Sequence, residues 1–403
     1  MRALLLALLL VVVLAAGAAL PALEAGTAVR DITPPADHPF MHDRDKVEGI
    51  HDPLSVRALA LREGKTTVVV AVADVIGIER PLVQEIRRLA NLPRIPPEHI
   101  IIAATHNHSG PDVIGMWNGV PADYLERFKQ QVAAAIREAV ADLHPARMAA
   151  ANYHLPPRLV LNWRDPYALD LRATALILRG KDGATIATLT NFACHAEVLN
   201  THQPVLSADW PGEFNRNMEQ TFGGTSLFFN GPLGGMVSPD VDDDKTTFAD
   251  VARFGKRAAE AAATALRGAK PVGGSLAVKT LPVQIKVENE RFLGLGQKIE
   301  RPDMASGSIQ TEISEVRYGP VQFVTMPAEF LPRVGMLLAD MMTGTYRLRL
   351  GLANDELGYI LPTGDWRQGE YVESVSPGPG VAATFLAAYR ELLQPKEPEH
   401  GQP

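Results

Sequence analysis

The chain has 403 residues, 46% of them hydrophobic and 21% charged, with a formal net charge of −7. That length allows a large buried core, and the acidic balance excludes a general affinity for nucleic acid. The single cysteine, Cys194, excludes an intrachain disulfide, so the fold must rest on its core and on any bound metal.

Met1 and Arg2 give a positive start, residues 4–16 are apolar, and small residues run on to Ala25. This is the form of a secretory signal peptide, residues 1–25, with cleavage expected after Ala25 or, as the rival, in Ala16-Gly17-Ala18; the alternative is an uncleaved membrane anchor, for which the apolar run is short. An exported protein, periplasmic or secreted, is the consequence. Residues 26–394 are then expected to form one domain, and the polar, proline-rich residues 395–403 a disordered tail. Residues 34–52, rich in proline and histidine, read as a long loop. Apolar, β-branched runs predict strands at 67–74, 99–105, 171–179, 185–194, 225–230, 275–287, 313–326 and 347–353. Amphipathic spacing predicts helices at 81–91, 122–143, 250–267 and 383–394. The second is the clearest, with Leu125, Phe128, Val132, Ile136, Val140 and Leu143 three or four residues apart. The mixture predicts an α/β (α+β) fold of mixed β-sheets sandwiched by helices.

Five predicted strand exits carry chemistry. The first ends in Thr105-His-Asn-His-Ser-Gly-Pro111, where strand alternation turns His106 and His108 to one side. The second ends in Asn191-Phe-Ala-Cys-His195, with Cys194 on the opposite face and read as core. The third enters the glycine-rich turn Gly231-Pro-Leu-Gly-Gly-Met-Val-Ser238-Pro-Asp240, whose backbone can approach a ligand closely or offer N–H groups to an oxyanion. The aspartates after it lack the glycine and glutamate of a calcium loop and read as a solvated turn. The fourth and fifth reach Pro327-Ala-Glu329-Phe and Gly358-Tyr359, with Tyr371 twelve residues on. Together the exits present metal ligands and proton-transfer groups on one rim. Val113, Ile114, Met116 and Trp117 follow the histidine motif and either line an acyl pocket or pack a loop.

With Val29-Arg-Asp-Ile-Thr-Pro34 and Gly49-Ile-His-Asp-Pro-Leu-Ser-Val-Arg57, these segments resemble, in order, the catalytic domain of the neutral/alkaline non-lysosomal ceramidases. The resemblance implies a zinc ion held by His106, His195, Glu329 and Tyr359. It implies His108 beside the metal facing substrate, Arg164 and Tyr371 in the active site, and Ser238 in the place of the catalytic serine. The substrate it implies is a small-molecule N-acyl lipid such as ceramide, cleaved at its amide, with peripheral contact at a membrane surface. The family turn reads Gly-Asp-x-Ser-Pro-Asn, but here Met236 replaces the aspartate. His-Asn-His stands for the usual His-Thr-His, and the chain ends soon after the catalytic segment. Ser238 is expected to orient groups or handle a proton, because a metal hydroxide already supplies a nucleophile and no base adjoins it in sequence. Hydrolysis of another amide, an exported non-catalytic metal or lipid binder, and a metal-free serine hydrolase are the rival readings. The last lacks a Gly-x-Ser-x-Gly elbow.

Overall fold

In the strand Thr66–Ala73, Val69, Ala71 and Ala73 enter one hydrophobic cluster while Val68, Val70 and Val72 enter another. A run of alternating faces that is apolar on both sides must be covered on both sides. The computed structural model, which describes residues 23–35, 47–117, 119–199, 204–241, 245–299 and 301–394, shows how.

Eight strands are β1 (Glu24–Asp31), β2 (Ser55–Glu63), β3 (Thr66–Ala73), β4 (Ile100–Ala104), β5 (His144–His154), β6 (Arg172–Gly180), β7 (Thr185–Phe192) and β8 (Thr225–Asn230). They stand in the order β8-β7-β6-β5-β1-β2-β3-β4, and Lys270–Val272 adds a ninth strand against β5. A second sheet of four strands runs β9 (Leu276–Lys286), β10 (Ser308–Tyr318), β11 (Val321–Thr325) and β12 (Tyr346–Leu350). Val70, Ile101, Leu176 and Leu189 of the large sheet meet Val316, Phe323, Leu348 and Leu350 of the small one. The other face of the large sheet is covered by helices Arg80–Ala90, Ala122–Ala141, Asp209–Phe222 and Phe248–Arg267. Glu290–Lys298, Pro332–Met341 and Val381–Leu392 cover the other face of the small sheet. The result is helix, sheet, sheet, helix: the expected α/β class with mixed sheets between helices. Burying each valine or leucine here contributes roughly 1.5–3 kcal/mol before chain entropy is set against it.

The parallel pairs β3/β4, β7/β8 and β11/β12 bring their carboxyl ends together. The two sheets are stitched at that end, because Gly351 N–H donates to the Asn230 carbonyl and Asn354 N–H to that of Ile102, both at 2.8 Å. Active groups of open α/β sheets gather at such carboxyl ends.

Some expectations need correction. The predicted strand 313–326 is two antiparallel strands joined by a turn in which Gly319 has φ +54°. Part of the expected loop at 34–52 forms a short strand, Gly49–Ile50, paired with Val205–Leu206. β1, β2 and β5, and the helices Asp209–Phe222, Glu290–Lys298 and Pro332–Met341, were not foreseen. β1 begins at Glu24 with Leu23 and Ala25 buried, so a boundary after Ala25 falls inside a strand, whereas one at Ala16-Gly17-Ala18 leaves it whole. Most of the expected leader, the tail 395–403 and the acid run at 242–244 lie outside the described residues.

Candidate metal centre and active site

β4 ends at Ala104, two residues before His106, so strand alternation does not by itself aim the two histidines. His106 instead adopts φ +62°, a left-handed conformation that a non-glycine residue keeps only where its surroundings impose it. The kink still brings the rings together: centroids of His106 and His108 lie 4.9 Å apart, and His195 lies 4.9 Å from the first and 5.7 Å from the second. Ring nitrogens of all three histidines fall within 4.8 Å of one another.

The backbone decides which nitrogen faces the centre. His106 Nδ1 meets the Ile76 carbonyl at 2.6 Å, and His195 Nδ1 meets that of Val237 at 2.9 Å. A carbonyl only accepts, so each Nδ1 donates and each neutral ring keeps its lone pair on Nε2, the arrangement found behind metal-bound histidines. Both Nε2 atoms converge on Glu329 Oε2, at 3.5 Å from His106 and 3.3 Å from His195. His195 Nε2 and Glu329 Oε2 are buried, and neither completes a well-aligned hydrogen bond. Burial opposes a positive charge on His195, but the Glu197 and Glu329 carboxylates outweigh it and raise its pKa to about 9. Burial likewise raises Glu329, yet the rings of His106 and His195 hold it below the usual carboxylate range. The cluster therefore favours a cation between these groups, and its nitrogen and oxygen donors suit zinc.

Glu329 and Tyr359 are register partners in a two-stranded parallel ladder, Glu329–Phe330 with Tyr359–Ile360. Two glycines permit that placement. A Cβ on Gly234 would lie 2.3 Å from the Glu329 carbonyl oxygen, and Gly358, at φ +65°, would meet the Val375 carbonyl oxygen at 2.0 Å. The Tyr359 hydroxyl interacts with the Glu329 carboxylate and lies 3.8 Å from Met236 Sδ, while burial and Glu329 push its pKa up. The glycine-rich turn serves close approach more than anion binding. Its Gly231 N–H donates to the Phe192 carbonyl and its Gly234 N–H to that of Phe330.

Ser238, buried, donates its hydroxyl to Glu197 Oε1 at 2.5 Å, and Glu197 Oε2 lies 3.8 Å from His108 Nδ1. Sequence reasoning missed Glu197 and found no base adjoining the serine, but a carboxylate is there in space. The signal was its position two residues after His195, the same spacing as His106 and His108. Cys194 is fully buried, as expected for core, although β7 ends at Phe192 and strand alternation does not reach it.

Arg164 is drawn elsewhere. Its guanidinium pairs with both oxygens of Glu373 at 3.0 and 2.5 Å and donates to the Asp365 carbonyl at 2.8 Å. It thereby ties down the short helix Tyr371–Ser374, on which Tyr371 stands with its ring centroid 6.0 Å from that of Tyr359. A cavity of about 50 Å³ beside the cluster is lined by His106, Glu329, Tyr359 and Tyr371 and by Ile114, Met116, Trp117, Phe292 and Leu295. Val113 instead packs in the core beneath the helices. The structure thus gathers His106, His108, His195, Ser238, Glu329, Tyr359 and Tyr371 at one end of the sandwich.

The chain is 24% identical over 307 residues to the neutral ceramidase of Mycobacterium tuberculosis (strain ATCC 25618 / H37Rv), covering 63% of this chain and 47% of that protein. It thus spans about half the length of the curated relative it matches. No protein-family profile matches it. Among solved structures, neutral ceramidase from Pseudomonas aeruginosa superposes with a TM-score of 0.78 at 19% identity, covering 93% of this chain and 74% of that one. A ceramidase complexed with C2 matches with the same TM-score at 18% identity, covering 93% and 75%. The chain thus shares the fold of the solved ceramidases, and its sequence is similar to that of a neutral ceramidase.

Proposed function

We propose that this chain is an exported, zinc-dependent amidohydrolase that cleaves ceramide or a related N-acyl lipid to a fatty acid and an amine. The carrying observation is the convergence of two backbone-anchored Nε2 atoms on one buried glutamate oxygen. The names of the similar proteins supply the substrate class.

His106, His195 and Glu329 would hold the ion, with the Tyr359 phenol as a weak fourth ligand. Glu329 is preferred to His108 because it brings negative charge to a buried cation, and His108 faces Glu197. Bound there, zinc supplies a Lewis acid for the amide carbonyl and lowers the pKa of water from ~15.7 to roughly 7. The chain's own residues do the rest. Glu197 fixes the Ser238 hydroxyl and faces His108, so the serine is held as an orienting group that shares its proton with a carboxylate. His108 and Tyr371 stand on the substrate side as donors to the developing oxyanion, where losing one donor costs about 3 kcal/mol. Arg164 acts through Glu373, positioning Tyr371. Among the described residues no helix is long and apolar enough to cross a membrane.

The test is fatty-acid release from ceramide and a panel of N-acyl amides, with and without a chelator. Release that the chelator abolishes and zinc restores supports the reading. Bound metal with no release from any amide would favour a binding protein instead.

A further inference from the structure

Three arginines that take no part in the metal centre meet at a second cavity. It holds about 270 Å³ and shares no lining residue with the cavity beside the histidines. Arg172, at the start of β6, and Arg347 and Arg349, on the edge strand β12, line it. The protein holds each guanidinium and uses only part of it. Arg172 forks onto Asp170 through Nε and Nη2, at 2.7 and 2.9 Å. Arg347 donates from Nε to the Gly344 carbonyl at 2.8 Å and from Nη1 to that of Ala339 at 2.7 Å. Arg349 donates from Nη1 to Asp170 at 2.6 Å and to the Gly335 carbonyl at 3.1 Å. Among the described residues no acceptor meets Arg172 Nη1, Arg347 Nη2 or Arg349 Nη2. The buried Arg349 Nε has no partner either.

The charges are as unbalanced as the hydrogen bonds. Against three cations stand Asp170 and, acting on Arg172, Asp340, so one positive charge is left over. Arg349 feels the excess: burial together with Arg172 and Arg347 lowers its pKa against the pull of Asp170. A buried cation short of counter-charge gains from an anion, and guanidiniums already held in place lose little freedom when they bind one.

We propose that this cavity binds the phosphate group of a small, soluble phosphate monoester. Three spare nitrogens on three side chains match the three terminal oxygens of such a group, whereas a carboxylate offers two. The volume lies just under the range of about 300–1,000 Å³ usual for small-molecule sites, which leaves room for a short organic arm. Arg349 is only 5% exposed, so the anion must enter the fold to reach it. A free molecule does this more readily than a headgroup held in a bilayer surface.

The experiment is isothermal titration of the full chain, at constant ionic strength, with glycerol 3-phosphate, inorganic phosphate and acetate, with and without a chelator. Sedimentation with vesicles containing phosphatidic acid runs beside it. Both phosphate ligands are expected to bind one per chain, about tenfold or more tighter than acetate, whether or not chelator is present. Arg347→Met should weaken glycerol 3-phosphate by at least about tenfold and Arg347→Lys by less, with the circular dichroism of wild type. Arg172→Gln, on the more exposed side of the cluster, should also weaken it and stands in if Arg347→Met fails to fold. No phosphate binding, equal binding of acetate, or affinity unchanged in these variants overturns the proposal. So does binding that the chelator abolishes, which would put the anion on a metal, and so does capture by vesicles without binding of either soluble phosphate.

Discussion

Ser238 shows best how far a residue's role depends on its neighbours. The turn has methionine at 236, yet the hydroxyl still meets a carboxylate, that of Glu197, from a different strand exit. If the pair orients and handles a proton, Ser238→Ala should lower turnover by about 10²-fold and leave a measurable rate. Glu197→Gln should cost a similar factor, and the double variant should be no slower than the slower single one, because both disturb one unit. Pre-steady-state kinetics and kcat measurements check this; loss of all turnover in Ser238→Ala alone would mean a covalent serine. His106, His195 and Glu329 drew notice in the sequence as polar residues at or just past the ends of apolar runs, whereas Tyr359 lies six residues beyond such a run and the four were grouped only through the family resemblance. Glu197 drew none, since acids outside such runs ordinarily face solvent and nothing local marks it as buried.

At the scale of elements, the glutamate-lined cavity depends on the excursion Glu290–Lys298 and Pro302–Ala305. Arg301 fastens it to the strand exits, its fully buried guanidinium pairing with Asp355 at 2.7 and 2.9 Å and approaching Glu79 at 3.4 Å. Arg301→Met leaves Asp355 buried without its cation and should lower stability by about 3–5 kcal/mol. Urea unfolding should show the loss as a lower midpoint, with faster amide exchange across 290–305. An unchanged midpoint would mean that the pair does not fasten the excursion. This excursion was illegible because Gly294, Gly296 and Pro302 interrupt its helical pattern. β2 and β5 escaped for the opposite reason: Arg-Ala-Leu-Ala-Leu-Arg and Arg-Met-Ala-Ala-Ala are good helix formers that tertiary pairing holds extended. The hairpin at Gly319-Pro320 did carry a turn signal.

For the whole molecule, layered burial sets the response to pH. Burial pushes Asp74 and Asp209 up to about 6 and Glu79 up to about 7, against an unfolded-state value of roughly 4. The folded state therefore binds these protons first, and their contribution to stability grows as pH falls from 7 towards 4. Burial would also raise Asp170, but Arg172 and Arg349 hold it at about 2, so its stabilisation is lost only as pH falls from roughly 4 through that value. Melting temperature is expected to peak on the acid side of neutral and to collapse below pH 4; a maximum above pH 8 would contradict this. The α/β class and mixed sheets between helices were legible from alternating strands and helices, but the strand order within each sheet was not, since it arises from pairings far apart in sequence.

The central claim is that His106, His195 and Glu329 bind one metal ion, and elemental analysis of the purified protein tests it most directly. About one zinc per chain is expected in wild type, and well under a tenth of that in His106→Ala and in Glu329→Gln, with both variants folded by circular dichroism. Metal-free wild type that hydrolyses amides in the presence of chelator, or zinc content unchanged in both variants, would contradict it.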